Sequence, residues 1–178
     1  MVMAGTRQTP KSSEISFETF FRENYTRLFQ YVARRMPASG VEDVVSTTFV
    51  VAWKKFDHLQ APSLPWLLRI AGYEISNANR RFRREGSFAT NGLQLEPVDD
   101  STELFDGEGV KSALMSLSPS DQEILRLIHW DGLSRSEVAE VLDLTSNAVN
   151  VRHHRAMKRF EIAMDRSRVP STPEGSKP

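Results

Sequence analysis

The residues best placed to do chemistry form a polar, basic stripe on one predicted helix near the C-terminal end of the 178-residue chain. At helical spacing, Asn147, Asn150, Val151, His154 and Arg155 share one side of that helix. Amide and guanidinium groups in such an array hydrogen-bond to base edges and phosphates in the major groove of DNA. The pattern predicts a DNA-reading helix, and the alternative is the solvated basic face of an ordinary helical bundle.

A second basic cluster ends a helix earlier in the chain. Asn77, Arg80, Arg81, Arg83 and Arg84 follow an apolar, aromatic stripe. Positive charge for phosphates and flat rings for bases suit a single strand or an opened duplex. The alternative, which these residues alone favour, is a basic helix end that faces its own macrodipole.

Residue patterns typical of an enzyme are missing. The sequence has no glycine-rich phosphate loop, no nucleophile elbow and no cysteine. His153 and His154 are adjacent, so on a helix they splay about 100° apart and cannot chelate one ion together. His58 and His129 stand alone in the sequence. We expect no catalytic residue, no metal and no cofactor.

The DNA-reading helix is the last of three helices predicted between Ser118 and Phe160. Ser118 and Pro119 cap the first helix, and Gly132 ends it. A capping box at 134–137 opens the second, and a break at 142–145 precedes the third. A short helix, a tight turn and a longer helix with a basic face predict a helix-turn-helix. A short helix at 110–117 leads into it.

Three further helices are predicted near the N-terminus. The first begins after Ser16 and stops by Met36, because Pro37 disfavours helical geometry before it. Its apolar residues recur at three-four spacing, which predicts a core rather than a cofactor pocket. They are Phe17, Phe20, Phe21, Tyr25, Leu28, Phe29 and Val32.

The second N-terminal helix is predicted from about Val41 to Phe56, after a break at 38–40, with Glu42 and Asp43 at its positive end. Its core face comprises Val41, Val45, Thr48, Phe49, Ala52 and Phe56, and its outer side comprises Asp43, Ser46, Thr47, Val50 and Lys54. Val44, Val50, Val51 and Trp53 widen the apolar surface beyond one stripe. Such a helix is either buried between other helices of its own domain, or it exposes an apolar surface that binds a partner.

The third N-terminal helix follows a loop from His58 to Pro65, with Pro65 in its first turn. Its predicted buried stripe consists of Trp66, Leu67, Ile70, Ala71, Ile75, Ala78 and Phe82.

These elements predict an all-α chain of two small helical domains, at 15–85 and 110–165. The 23 basic and 23 acidic residues cancel, but 86–109 carries six acids and no Lys or Arg. We expect that stretch to be a flexible acidic linker between two basic modules, and we expect 1–14 and 166–178 to be disordered. No apolar run approaches the roughly 20 residues of a membrane span, and no signal peptide is recognisable. We expect a cytoplasmic protein with no membrane partner.

Three stretches in this order resemble a known family. They are EDVVSTTFVVAW, then LPWLLRIAGYEISNANRRFRR, then LSPSDQEILRLIHWDGLSRSEVAEVLDLTSNAVNVRHHRA. Together they resemble the extracytoplasmic-function (ECF), group IV sigma factors of bacterial RNA polymerase, in the sigma-70 family, and most of all the variety common in actinobacteria. The resemblance covers about Phe17 to Phe160.

The resemblance implies a sigma factor that binds core polymerase and directs promoter recognition, melting and initiation. In region two, at 15–85, the second helix packs on the clamp helices of the largest subunit, and the implied contact residues are Asp43, Ser46, Thr47, Val50 and Lys54. The implied minus-ten residues are His58, Trp66, Tyr73, Asn77, Arg80, Arg81 and Arg84. Region four, at 110–165, reads the minus-thirty-five element and contacts the flap of the second-largest subunit. Its implied DNA contacts are Ser146, Asn147, Asn150, Val151, His154, Arg155 and Lys158. An anti-sigma factor is a further expected partner.

Several positions depart from the family pattern. The loop before Trp66 is short and holds two prolines, which leaves open whether it forms a base-capturing pocket. Asp143 stands where a turn glycine is usual. Two other classes stay open from the residues: a stand-alone helix-turn-helix regulator, and a sigma-like interaction module. Both leave the apolar second helix unexplained.

Overall fold

The computed structural model describes residues 16–59, 61–84 and 108–168, and these residues are helical with short connections. This confirms the all-α prediction. The described residues form seven helices: α1 Phe17–Ala33, α2 Ala38–Phe56, α3 Leu64–Arg84, α4 Glu108–Met115, α5 Pro119–His129, α6 Arg135–Leu142 and α7 Ser146–Arg168. We refer to α1–α3 as the N-terminal bundle and to α4–α7 as the C-terminal bundle. The predicted N-terminal disordered stretch, most of the predicted linker and all of the predicted tail after Arg168 lie outside the described residues. Where the tail was expected to start, α7 instead continues.

The N-terminal bundle forms because each of its helices has an apolar face that needs a partner. Ser16 caps α1, and its hydroxyl accepts from the Thr19 amide at 3.2 Å. Leu28 and Val32 on α1 are fully buried, and each such side chain stabilises a fold by about 1.5–3 kcal/mol. Helix α2 packs between α1 and α3. The predicted core face of α2 is confirmed, because all its members are buried.

Helix α2 begins earlier than predicted. Residues 38–40 form its first turn instead of a break, since Pro37 holds the extended geometry of a helix cap and its carbonyl accepts from the Gly40 amide at 3.0 Å. Gly40 lies in a tightly packed position: a Cβ there would lie 2.5 Å from the Met36 methyl, which would have to shift, and 3.3 Å from the Phe82 ring. Asp43 therefore lies in the second turn, so the predicted favourable contact with the helix dipole is wrong.

The C-terminal bundle follows its predicted caps. The Ser118 hydroxyl accepts from the Asp121 amide, and Ser134 and Glu137 form the reciprocal capping box. Gly132 has φ 66°, which glycine adopts without strain. Helix α7 packs against α4, α5 and α6. Helix α7 is thus held in place by three other helices.

The two bundles are in contact. Helix α3 packs on α6, and the buried apolar side chains of both bundles form one continuous core. The predicted boundaries of the two domains stay predictions, because the chain between them lies largely outside the described residues.

Candidate nucleic-acid interface

The turn before α7 sets the rotation of that helix. Asp143 takes the left-handed conformation, with φ 54°, which Asp tolerates better than most residues. Leu144 then donates its amide to the Ala139 carbonyl at 2.9 Å, and the Thr145 hydroxyl accepts from the Ala148 amide at 3.2 Å. The absence of glycine from this turn therefore leaves the helix-turn-helix intact.

The buried side of α7 is fixed by two small apolar residues. Val149 and Ala156 have no exposed surface, and Phe160 is half-buried. Arg159 donates to the buried Asp121 carboxylate at 2.6 Å and ties α7 to the start of α5. These contacts therefore determine how α7 is rotated about its own axis and which side chains face outward.

All seven predicted minus-thirty-five residues are exposed on the outer side of α7: Ser146, Asn147, Asn150, Val151, His154, Arg155 and Lys158. Among the described residues, Arg155 and Lys158 form no ion pair. Val151, at 43% exposure, adds a methyl-bearing surface of the kind that contacts thymine methyl groups. The face offers amide, imidazole, guanidinium and ammonium groups to a groove.

His129 is not isolated, contrary to expectation. Its Nε2 lies 3.0 Å from Nε2 of His153, which joins the end of α5 to the middle of α7. Burial lowers the pKa of His129, and burial together with His129, Arg135 and His154 lowers the pKa of His153. One ring must donate and the other accept, so at least one of the two imidazoles is uncharged. Because the two histidines are 24 residues apart, no helical repeat links them, and the sequence analysis did not predict this contact.

The predicted minus-ten residues of α3 share one side of the helix. Trp66, Tyr73, Asn77, Arg80 and Arg81 fall within an arc of about 100°, by the helical repeat. All but the half-buried Trp66 are exposed, Tyr73 to 64%. Trp66 packs against Phe20, so the exposed part of this face runs from Tyr73 to Arg81, about 12 Å along the axis at 1.5 Å per residue.

The polar groups of this face pair within α3 and with α2. Arg80 donates to the Asn77 side-chain oxygen at 2.8 Å, and Arg81 lies 3.5 Å from Asp43 of α2. Both partners of the second pair are well exposed, so it contributes little to stability. His58 is exposed at the end of α2, whereas the side chain of Arg84 lies outside the described residues.

The outer side of α2 is apolar at its centre. Val50 is 49% and Trp53 63% exposed, while Asp43, Ser46 and Lys54 are exposed around them and Thr47 is half-buried. Val44, by contrast, is buried in the core, so it does not widen the exposed surface as expected.

Two aromatic residues of α1 extend the exposed apolar surface of α2. Phe21 and Tyr25 were predicted to be core, but they are 39% and 41% exposed. Their rings lie 4.4 and 6.2 Å from the ring of Phe49, which precedes Val50. We call Phe21, Tyr25, Val50 and Trp53 the apolar patch. A three-four pattern alone could not show which of α1's aromatic residues lie at the edge.

In the described part of the chain, no group of three or more His, Cys, Asp or Glu is placed to hold a metal ion. Nor does any described helix combine the length and apolarity needed to cross a membrane.

The family described as Sigma-70, region 4 matches residues 108–160, which span α4 to most of α7. RNA polymerase sigma factor CnrH of Cupriavidus metallidurans is 32% identical over 146 residues, which cover 73% of this chain and 76% of the relative. RNA polymerase sigma factor NccH of Alcaligenes xylosoxydans xylosoxydans is 29% identical over 146 residues, which cover 75% of this chain and 78% of the relative.

Solved structures share the fold. The sigma factor RpoE from Bartonella quintana, in complex with the anti-sigma factor NepR, superposes with a TM-score of 0.65 at 22% identity and covers 84% of this chain and 96% of its own. CnrH in complex with the cytosolic domain of CnrY gives a TM-score of 0.59 at 24% identity, over 84% of this chain and 88% of that one.

Proposed function

The chain belongs to the RNA polymerase sigma factors, of the extracytoplasmic-function type, and from this premise we propose how its two bundles divide the work of initiation. In our proposal, α7 reads the minus-thirty-five element, α3 holds the minus-ten strand, and α2 docks on core polymerase. The single observation that carries the proposal is the outer face of α7, exposed throughout and set by a helix-turn-helix. We also place the chain in group IV, in the variety common in actinobacteria, on the three sequence stretches described above.

The role of α7 rests on the chemistry of its outer face. Asn150 and Arg155 are exposed and five residues apart on the outer side of α7, and such amide and guanidinium groups pair with adenine and guanine edges. Lys158 lies further along the same side and suits a phosphate contact. The flap of the second-largest subunit is the protein partner we propose for the same bundle.

The role of α3 rests on charge beside aromatic surface. Tyr73 offers an exposed ring, and Arg80 and Arg81 carry positive charge about two turns further along the same side. Stacking surfaces beside cations are what single strands bind. This supports a site for the non-template strand of the opened minus-ten element.

The role of α2 rests on the apolar patch. An exposed apolar surface rimmed by polar residues is typical of a protein-binding site, and Asp43, Ser46, Thr47 and Lys54 provide that rim. We propose that the clamp helices of the largest polymerase subunit cover the patch. An anti-sigma factor is a second proposed partner, since both solved neighbours above are complexes of a sigma factor with another protein. The proposed site of action is the cytoplasm.

Transcription with sigma-free core polymerase and a library of promoter fragments tests the proposal. We expect promoter-specific transcripts only when the chain is added. A stand-alone regulator or an interaction module would yield none. Such a protein would bind duplex DNA or a partner protein without core enzyme.

A further inference from the structure

One apolar side chain lies in the middle of the polar outer side of α7. Val151 is 43% exposed. By the helical repeat it lies about 140–160° around the axis from Ala156 and Val149, which have no exposed surface. Asn147 lies one turn before Val151 and Arg155 one turn after it, and both are exposed. Val151 therefore lies at the centre of the face that is proposed to enter the groove.

The packing of the protein does not account for this valine. Val151 belongs neither to the buried core nor to the half-buried apolar side chains that pack against that core. The contact of Arg159 with Asp121, at 2.6 Å, helps to keep it facing outward. An exposed valine is covered favourably by another apolar group, because both then leave water. Val151 is thus an apolar contact point surrounded by hydrogen-bonding groups.

The position of Val151 along α7 is that of a base contact. It lies in the second turn of the helix, which begins at Ser146. In a helix-turn-helix the N-terminal residues of the second helix approach the base edges. Lys158, two turns further along the same side, suits a phosphate. With α7 in the groove, Val151 therefore faces a base and not the sugar-phosphate backbone.

The base edges in the major groove offer one apolar group to such a residue. It is the C5 methyl group of thymine, whereas the other edge groups are hydrogen-bond donors and acceptors. Valine cannot pair with a donor or an acceptor, so a cytosine or guanine edge beneath Val151 would lose water without gaining a partner. The thymine methyl group and Val151 instead remove one another from water.

Asn147 supplies a polar contact beside this apolar one. It lies four residues before Val151 on the same side of α7, which is about 6 Å along the axis at 1.5 Å per residue. That distance corresponds to about two base-pair steps of 3.4 Å. The side chain of Asn147 is exposed, and its amide can pair with the N6 and N7 atoms of adenine.

We propose that Val151 selects a thymine in the minus-thirty-five element through its C5 methyl group, and that Asn147 reads an adenine within about two base pairs of it; this rests on the role proposed for α7. Every promoter that the chain uses should then hold these two bases in its minus-thirty-five element.

Removal of single methyl groups from the promoter tests the role of Val151. The chain is assembled with core polymerase and bound to a promoter obtained from the fragment library, in which each thymine of the minus-thirty-five element is replaced in turn by deoxyuridine. Deoxyuridine keeps every donor and acceptor of thymine and lacks only the methyl group. We expect one position at which the replacement weakens binding about fourfold, the effect of one buried group of that size.

Val151→Ala is the test variant and Ile162→Ala its matched control. Ile162 is 47% exposed and lies on the same side of α7, about three turns further along, beyond the predicted DNA contacts. We expect the ratio of thymine to deoxyuridine affinity to fall to about one in Val151→Ala and to stay about fourfold in Ile162→Ala. The ratio is insensitive to helix stability and core assembly, because these change both affinities alike.

Restoring the methyl group on another base gives the reverse test. At the sensitive position a cytosine–guanine pair should bind weakly, and 5-methylcytosine should recover about fourfold in the unaltered chain but not in Val151→Ala. For Asn147, 7-deazaadenine lacks the N7 acceptor, and at one adenine near the selected thymine it should weaken binding about two- to tenfold. Asn147→Ala should bind both forms of that adenine equally.

The absence of any sensitive thymine, or a methyl effect that persists in Val151→Ala, would overturn the selection, since a persistent effect would come from the shape of the DNA. Weaker binding by Val151→Ala with an unchanged ratio would also overturn it, because Val151 would then only support the helix. These outcomes leave the proposed function of α7 standing. A holoenzyme with no preference for any minus-thirty-five sequence would instead refute that function, and the base selection with it.

Discussion

Helices α2 and α7 each expose one side to solvent, and the two exposed sides differ in chemistry. On α7 the exposed side consists of amide, imidazole and cationic groups around Asn150 and Arg155. On α2 its centre is Val50 and Trp53, and α1 adds Phe21 and Tyr25. Each of the two helices also has a buried side that packs in its own bundle. The two helices therefore differ in the chemistry of their exposed sides.

The difference indicates two kinds of partner. Base edges and phosphates are bound by hydrogen-bond donors, and the polar face of α7 carries such groups. A protein partner gains from apolar area removed from water, which is what α2 and α1 expose. Each helix therefore predicts a mutation that disrupts its own contact and leaves the other intact.

The largest effect is expected from the same substitution made on both helices. Val50→Asp should abolish assembly with core polymerase, since an unpaired carboxylate buried at that contact costs several kcal/mol. Val151→Asp, at a similarly exposed position on α7, should leave assembly intact and weaken duplex binding instead. Co-elution with core enzyme and binding to a minus-thirty-five duplex are the two measurements.

Circular dichroism melts accompany both aspartate variants. Because Val50 and Val151 are 49% and 43% exposed, we expect helical content and Tm to stay nearly unchanged. A Val50→Asp chain that still co-elutes would remove α2 as the polymerase contact, and one that unfolds would show that Val50 supports the core.

A smaller effect is expected from Arg155→Ala, which should weaken duplex binding by about 1–3 kcal/mol. The arginine is exposed and forms no ion pair among the described residues, so the loss reflects DNA contact and not folding. Glu161→Ala, an exposed change on the same helix, is the control. Equal affinity of the Arg155 variant and the unaltered chain in a duplex titration would end the assignment.

Removing Arg80 and Arg81 should impair promoter opening more than assembly with core. Their loss removes two phosphate contacts, so the slope of log affinity against log salt for a single strand should fall by about 1.4. The Arg81–Asp43 pair is exposed and its loss costs little stability. Arg22→Ala, on an exposed part of α1, is the control. Normal permanganate reactivity of the opened strand together with lost assembly would contradict this prediction.

The sequence predicted what depends on neighbours along the chain. The caps at Ser16, Ser118 and Ser134 and the exposed outer side of α7 follow from local geometry, and the structure confirms them. The exposed polar face of a helix can be predicted from the 3.6-residue repeat, because the helix itself fixes the direction of each side chain.

What the sequence missed depends on distant residues. Gly40 appeared to mark a break, but it makes room for Phe82, which is 42 positions away. Arg35 donates to the Glu123 carboxylate, 88 residues away, and no helical period links them. Phe21 and Tyr25 lie at the edge of the core because of how α1 meets α2, which a pattern within α1 cannot show.

The smallest effect is expected from pH, and it should concern the C-terminal bundle alone. Burial lowers the pKa of both His129 and His153, so the unfolded chain binds protons more readily than the folded one below the ordinary value of about 6.5. Stability is therefore full above that pH and falls as pH decreases below it, because two imidazolium rings 3.0 Å apart would repel. We expect a lower Tm at about pH 5.5 than at about pH 7.5, and a smaller difference in His153→Gln. His58→Gln, at an exposed histidine of the N-terminal bundle, should keep the full difference. A Tm difference that persists in the His153 variant would place the titrating group outside this pair and remove the histidine contact between α5 and α7 as its cause.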